Sequence, residues 1–157
     1  MPYKVKLKEL LPQKIIYQTL ETDAEHLAGD VRKAFGDLHA YLVSQKASFT
    51  GTRDAIFKTV LFNEQKIVID CAFGVQTFAL ETNRFKARLD EGGLMAATVH
   101  QGPYDKLPAA YEAVMKWMDE NGYGYTALKR NRYINNPNEV PPQNLLTEIF
   151  WPVSLKK

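Results

Sequence analysis

Cysteine is nearly absent: Cys71 stands alone among 157 residues. A single thiol excludes an internal disulfide framework and fits a reducing compartment. Long hydrophobic runs are absent too, and none approaches the roughly 20 residues a helix needs to cross a bilayer. The opening stretch MPYKVKLKEL alternates charge and lacks the apolar centre of a secretory signal. These absences predict a cytoplasmic chain with no membrane partner. Excess charge is also missing. Twenty basic residues face 18 acidic ones, a net charge of +2, which leaves no broad footprint for direct nucleic-acid contact. The one basic cluster, Lys129, Arg130 and Arg132, reads as a solvated strand or loop surface rather than a phosphate site. His26, His39 and His100 are too scattered to suggest a metal centre. No phosphate-binding loop, dinucleotide glycine pattern or nucleophile elbow occurs. No cofactor is therefore expected.

What is present is a globular composition, 45% hydrophobic and 24% charged, in a chain long enough to bury a core. Tyr3, Val5 and Leu7 alternate with Lys4, Lys6 and Lys8, the pattern of a half-buried strand. A second strand is expected over Lys14–Leu20. The apolar residues Leu27, Val31, Ala34, Phe35, Leu38, Tyr41 and Leu42 recur at helical spacing. Strands at Ala55–Leu61 and Lys66–Phe73 follow, joined by the turn FNEQ. Gln76–Leu89 is ambivalent between strand and basic loop. The second half opens with a strand at 94–100. Then comes a helix with Pro108 in its first turn and an apolar stripe of Leu107, Tyr111, Val114, Met115 and Met118. Asn121-Gly122 ends it. A strand near Arg132–Ile134, a Pro/Asn-rich turn and a closing strand at 145–151 complete the chain.

The two halves share an order, and an offset of 76 residues places Ala34 on Ala110 and Phe35 on Tyr111. With a two-residue gap, IVIDCAFGV (67–75) falls on LLTEIFWPV (145–153), and Asp70 falls on Glu148. The expected fold class is α+β, built of tandem duplicated strand–helix–strand–strand modules. They would form one antiparallel sheet with two helices and a cleft at a pseudo-two-fold. A single domain, 1–157, is expected, with repeats at about 3–80 and 92–153.

The run MAATVHQGPYDKLPAAYEAVMKWMDENGY, followed by RYINNPNEVPPQNLLTEIFWPV, resembles the GyrI-like small-molecule-binding domain. That domain is also the effector-binding half of multidrug-responsive transcription activators. The resemblance rests on His100 with Gly102-Pro103-Tyr104, on Asn121-Gly122-Tyr123, on Tyr133 ahead of an Asn-Pro-Asn turn, and on Thr147-Glu148-Ile149 before Pro152-Val153. It implies an aromatic-lined cavity whose last-strand glutamate, here Glu148, meets cationic ligands, with Tyr133 as a neighbour. Asn131 stands where the family usually has an acid, and Arg132 precedes Tyr133. No helix-turn-helix segment is read ahead of the domain.

Glu148 interrupts an apolar strand, and an isolated buried carboxylate must find partners or a proton. It could anchor a lipophilic cation, with aromatic walls adding cation–π attraction. It could equally form a structural ion pair with Arg130 or Arg132. Tyr133, Tyr104, Tyr111, Trp151 and Phe73 are the other candidate ligand contacts. Each also has a plain role in core packing. Trp117 lies off the main stripe, at a rim or an interface. Asp70 is expected at the surface, Cys71 as an inert buried thiol, and His100 on backbone near its turn. The expected function is a stand-alone binding protein for hydrophobic, cationic or aromatic small molecules, a monomer or homodimer, with a protein partner open. The alternatives are a hydrolase of strained cyclopropane-type toxins, with Glu148 as general base and Tyr133 as helper, and a ligand-responsive transcriptional co-regulator.

Overall fold

Both hydrophobic periods take the form they predict. The computed structural model describes residues 3–61, 63–77 and 81–156. Its strands in chain order are β1 (Lys6–Leu10), β2 (Gln13–Thr22), β3 (Phe49–Leu61), β4 (Lys66–Val75), β5 (Lys86–Asp90), β6 (Gly93–Gln101), β7 (Tyr123–Tyr125), β8 (Arg130–Tyr133) and β9 (Leu146–Leu155). Helix α1 (Leu27–Ser44) lies between β2 and β3, and α2 (Leu107–Asn121) between β6 and β7. The chain divides into two units. One is Leu11–Glu91. The other joins Met1–Leu10 to Gly92–Lys157.

In the Leu11–Glu91 unit four strands run antiparallel in the order β5-β2-β4-β3. Helix α1 buries Val31, Ala34, Leu38 and Leu42 at spacings of three and four. That stripe packs on Ile16, Phe73 and Val75, with Phe85 beside them. The face turned away from α1 gathers Ile15, Ile56, Ala72 and Tyr17. The helix starts where Asp23 accepts a hydrogen bond from the His26 N–H at 2.9 Å. The β3–β4 turn passes through Asn63 and Glu64 in the left-handed region; Phe62, also part of the expected turn, lies outside the described residues. The ambivalent stretch resolves into β5 at its end, with 78–80 outside the described residues.

The other unit repeats this plan. Its antiparallel order is β1-β6-β9-β8, and β7 pairs with Val153–Leu155 of β9. Helix α2 follows a 3-10 turn at Tyr104–Lys106, carries Pro108 in its first turn and ends on left-handed Gly122, φ 78°. It buries Leu107, Ala110, Val114 and Met118 against Ala96, Ile149, Trp151 and Val153. The opposite face holds Met95, Ala97, Phe150 and Leu10. The first strand begins later than Tyr3, at Lys6, and pairs with β6, so it belongs with the second half in space. The short β7 was not legible in the pattern.

Candidate functional site

Glu148 is the third residue of β9, opposite Val99 of β6 and Arg132 of β8. Strand alternation sends Thr147, Ile149, Trp151 and Val153 toward α2, and sends Glu148 and Phe150 the other way. The Glu148 side chain is 14% exposed and accepts a 2.7 Å hydrogen bond from Lys8 Nζ. Lys8 Nζ also stands 5.7 Å from the centroid of the Phe150 ring. The Arg132 guanidinium lies 5.1 Å from the same centroid. An acid and an aromatic ring therefore act together on organic cations supplied by the chain itself. Lys8 and Phe150 are the members the sequence reading missed. The alternation Lys4-Lys6-Lys8 was visible, but which strand β1 would join was not.

The aromatic candidates gather elsewhere. Tyr133 pairs with Thr147 across the β8–β9 ladder, so it shares the α2 face and is separated from Glu148 by the sheet. Its ring meets that of Tyr104 edge-on, centroids 5.4 Å apart. Asn131 Nδ2 donates to the Tyr111 hydroxyl at 2.7 Å. Lys129 Nζ sits 4.4 Å from the Tyr111 ring centroid and 5.6 Å from that of Trp151. Trp151 is buried in the α2 core, and Trp117, half-buried, stacks on Tyr123 at 5.5 Å. Phe73 belongs to the α1 core of the Leu11–Glu91 unit, edge-on to Phe35 and Phe49. Strand parity thus assigns Glu148 to one face and Tyr133 and Trp151 to the other, where Tyr104 and Tyr111 pack from the helix side, while Phe73 lies in the Leu11–Glu91 unit.

Two surface expectations are corrected. The basic cluster is not a solvated face: Arg130 is buried, and Lys129 and Arg132 cover rings. Pairing of β8 with β9 draws Arg130 and Arg132 into the unit, and Lys129 precedes that strand. Asp70 is not a surface residue either. Its side chain is 3% exposed and accepts hydrogen bonds from Thr19 Oγ1 at 2.6 Å and Arg88 Nη1 at 2.8 Å, with Lys58 Nζ at 3.9 Å. β4 is an inner strand of its sheet, so its alternate positions have little access to water. Burial is the largest influence on the Arg88 pKa and pulls it down, but the hydrogen bonds to Asp70 and Tyr17, with their charges, together outweigh it and the net shift is upward. Burial, aided by the neighbouring Asp70 charge, pushes the Cys71 thiol up to about 12, as an inert thiol requires.

His100 does bond backbone near its turn, with Nε2 3.1 Å from the Pro103 carbonyl and Nδ1 2.8 Å from the Tyr3 hydroxyl. Among the described residues no group of three His, Cys, Asp or Glu side chains is placed to hold a metal. Nor, among the described residues, is any helix long and apolar enough to cross a membrane.

The model of the GyrI-like small molecule binding domain matches residues 3–154. The chain belongs to this family. Among solved structures, the GyrI-like fold here is similar to the C-terminal domain of EcmrR, with TM-score 0.82, 20% identity and 99% of each chain covered. It is also similar to EcmrR in a cryo-EM complex with DNA, with TM-score 0.88 and 20% identity; it covers 99% of this chain and spans 58% of that one. A protein of Listeria innocua described as a hydrolase gives TM-score 0.70 at 12% identity over 98% of this chain and 93% of that one. SAV2435, solved bound to tetraphenylphosphonium, gives 0.63 at 14% over 98% and 94%. At these identities the likenesses show a shared fold. No curated protein matches the sequence.

Proposed function

We propose that this GyrI-like domain captures hydrophobic organic cations, with Glu148 as the charged anchor and Phe150 as the ring beside it. One observation carries the reading: the Glu148–Phe150 pair already holds the Lys8 ammonium at 2.7 Å from the carboxylate and 5.7 Å from the ring centroid. A carboxylate and an aromatic face are the two elements that recognise a lipophilic cation. The SAV2435 complex with tetraphenylphosphonium supports the ligand class, since the fold is shared. The family model, a small molecule binding domain matched over residues 3–154, supports a binding module. The hydrolase reading, in which Tyr133 assists Glu148, has less support because β8 and β9 pair them onto opposite faces.

The test is titration of tetraphenylphosphonium, with triphenylphosphine oxide as a neutral analogue, against wild type and Glu148→Gln. We expect the substitution to weaken the phosphonium tenfold or more, about 1.4 kcal/mol, and to leave the neutral compound within twofold. Equal binding of the phosphonium by both proteins would remove Glu148 from the site.

A further inference from the structure

We infer that Lys8 is a tethered occupant of the Glu148 site and sets its selectivity by competing with incoming cations. This rests on the reading of Glu148 as a cation anchor and adds a residue to it. The Lys8 ammonium makes both contacts a ligand cation would make, to the Glu148 carboxylate and to the Phe150 ring. It arrives on a separate strand, β1, two ladder steps from β9: Lys8 pairs with Met95, and Met95 with Pro152.

The Lys8 side chain is 37% exposed and Glu148 is 14% exposed, so the ammonium can swing into water on a flexible four-carbon stem. An ion pair this accessible contributes little net stability. The second unit shows what a fixed pair looks like. By the same ladder, Arg88 pairs with Ile15, and Ile15 with Gly74. Arg88 reaches Asp70, four residues before Gly74, as Lys8 reaches Glu148, four residues before Pro152. There the acid is 3% exposed, takes a second hydrogen bond from Thr19, and has Lys58 close by. The planar Arg88 guanidinium also lies 4.3 Å from the Tyr17 ring centroid. One rung carries a locked arginine in one unit and a displaceable lysine in the other.

A competitor that fills a site most of the time lowers apparent affinity by the fraction of time the site is open. Removing the ammonium while keeping an apolar stem vacates the anchor. We expect Lys8→Met to bind tetraphenylphosphonium about threefold to fivefold more tightly than wild type, the gain that vacating a contact of under about 1 kcal/mol allows. Triphenylphosphine oxide should change by less than twofold, since it does not need the carboxylate. Lys6→Met removes the same charge two residues away on β1 and controls for bulk electrostatics; its affinity should stay within twofold of wild type. The double variant Lys8→Met/Glu148→Gln should lose the gain.

If Lys8→Met binds no tighter while Glu148→Gln still weakens the phosphonium, the tether is wrong and the anchor stands. Equal gains in Lys8→Met and Lys6→Met would also overturn the tether, because net charge alone would explain them. If all five proteins bind the phosphonium alike, or none binds it, both proposals fail. Thermal unfolding of each variant confirms that affinities are compared between folded proteins.

Discussion

The two units place an acid at the same ladder position and treat it in opposite ways. Asp70 in β4 is sealed by Thr19 and Arg88, with Lys58 nearby, and keeps 3% of its side chain in contact with water. Glu148 in β9 keeps 14% and holds a lysine that is itself 37% exposed. Both acids sit on the sheet face turned away from their unit's helix, and each draws its cation from the outermost strand, β5 or β1. A repeated architecture therefore does not imply a repeated role. The buried pair is a structural commitment, since breaking it strands a charge. The accessible pair, on the reading proposed here, is an exchangeable contact, and exchange is what a binding site needs.

The largest expected difference between the two positions is in stability. Asp70→Ala should cost about 2–3 kcal/mol, at the low end for a buried pair because the Arg88 side chain retains 29% exposure. Glu148→Ala should cost under about 1 kcal/mol. Urea unfolding of both variants measures the contrast, and equal costs would break it. Next come the glycines of the Leu11–Glu91 unit. A Cβ on Gly74 would meet Thr50 Oγ1 at 2.1 Å and Thr52 Oγ1 at 2.3 Å, so Gly74→Ala should destabilise by about 1–3 kcal/mol. A Cβ on Gly36, exposed on α1, meets nothing within 4 Å, so Gly36→Ala should stabilise by about 0.5–1 kcal/mol.

The smallest effect is at the start of α1. The hydrogen bond its ring donates to Asp23 raises the His26 pKa, with the charges of Asp23, Glu25 and Asp30 adding to it. The His26 backbone N–H and then its ring lower that of Asp23. The His26 contribution is complete below its ordinary value near 6.5 and fades as pH rises through the raised one. The Asp23 contribution is complete above its ordinary value near 3.8 and fades as pH falls through the lowered one. The melting-temperature gap between wild type and His26→Ala should therefore be widest from about pH 4 to 6.5 and narrow as pH rises through the raised His26 value. A gap that does not change with pH would show the pair to be without effect.

Both helices, the duplicated order and most strands were legible because hydrophobic period reports burial on one face. Glu148 stood out because a carboxylate interrupted an apolar strand. What was not legible depended on pairing. Lys8 became its partner only when β1 joined β6 in the second half. Tyr133 left its side only when the register set it against Thr147. Asp70 read as a surface residue because alternation alone does not say that both faces of β4 are buried. The three residues of β7 were too few to show a period.

The most direct measurement of the Glu148 anchor is the calorimetric affinity of tetraphenylphosphonium for wild type and for Glu148→Gln under identical salt. A loss of tenfold or more in the variant, with triphenylphosphine oxide unaffected, is the expected result. Identical affinities would contradict it and leave the Lys8–Glu148 pair as a structural contact.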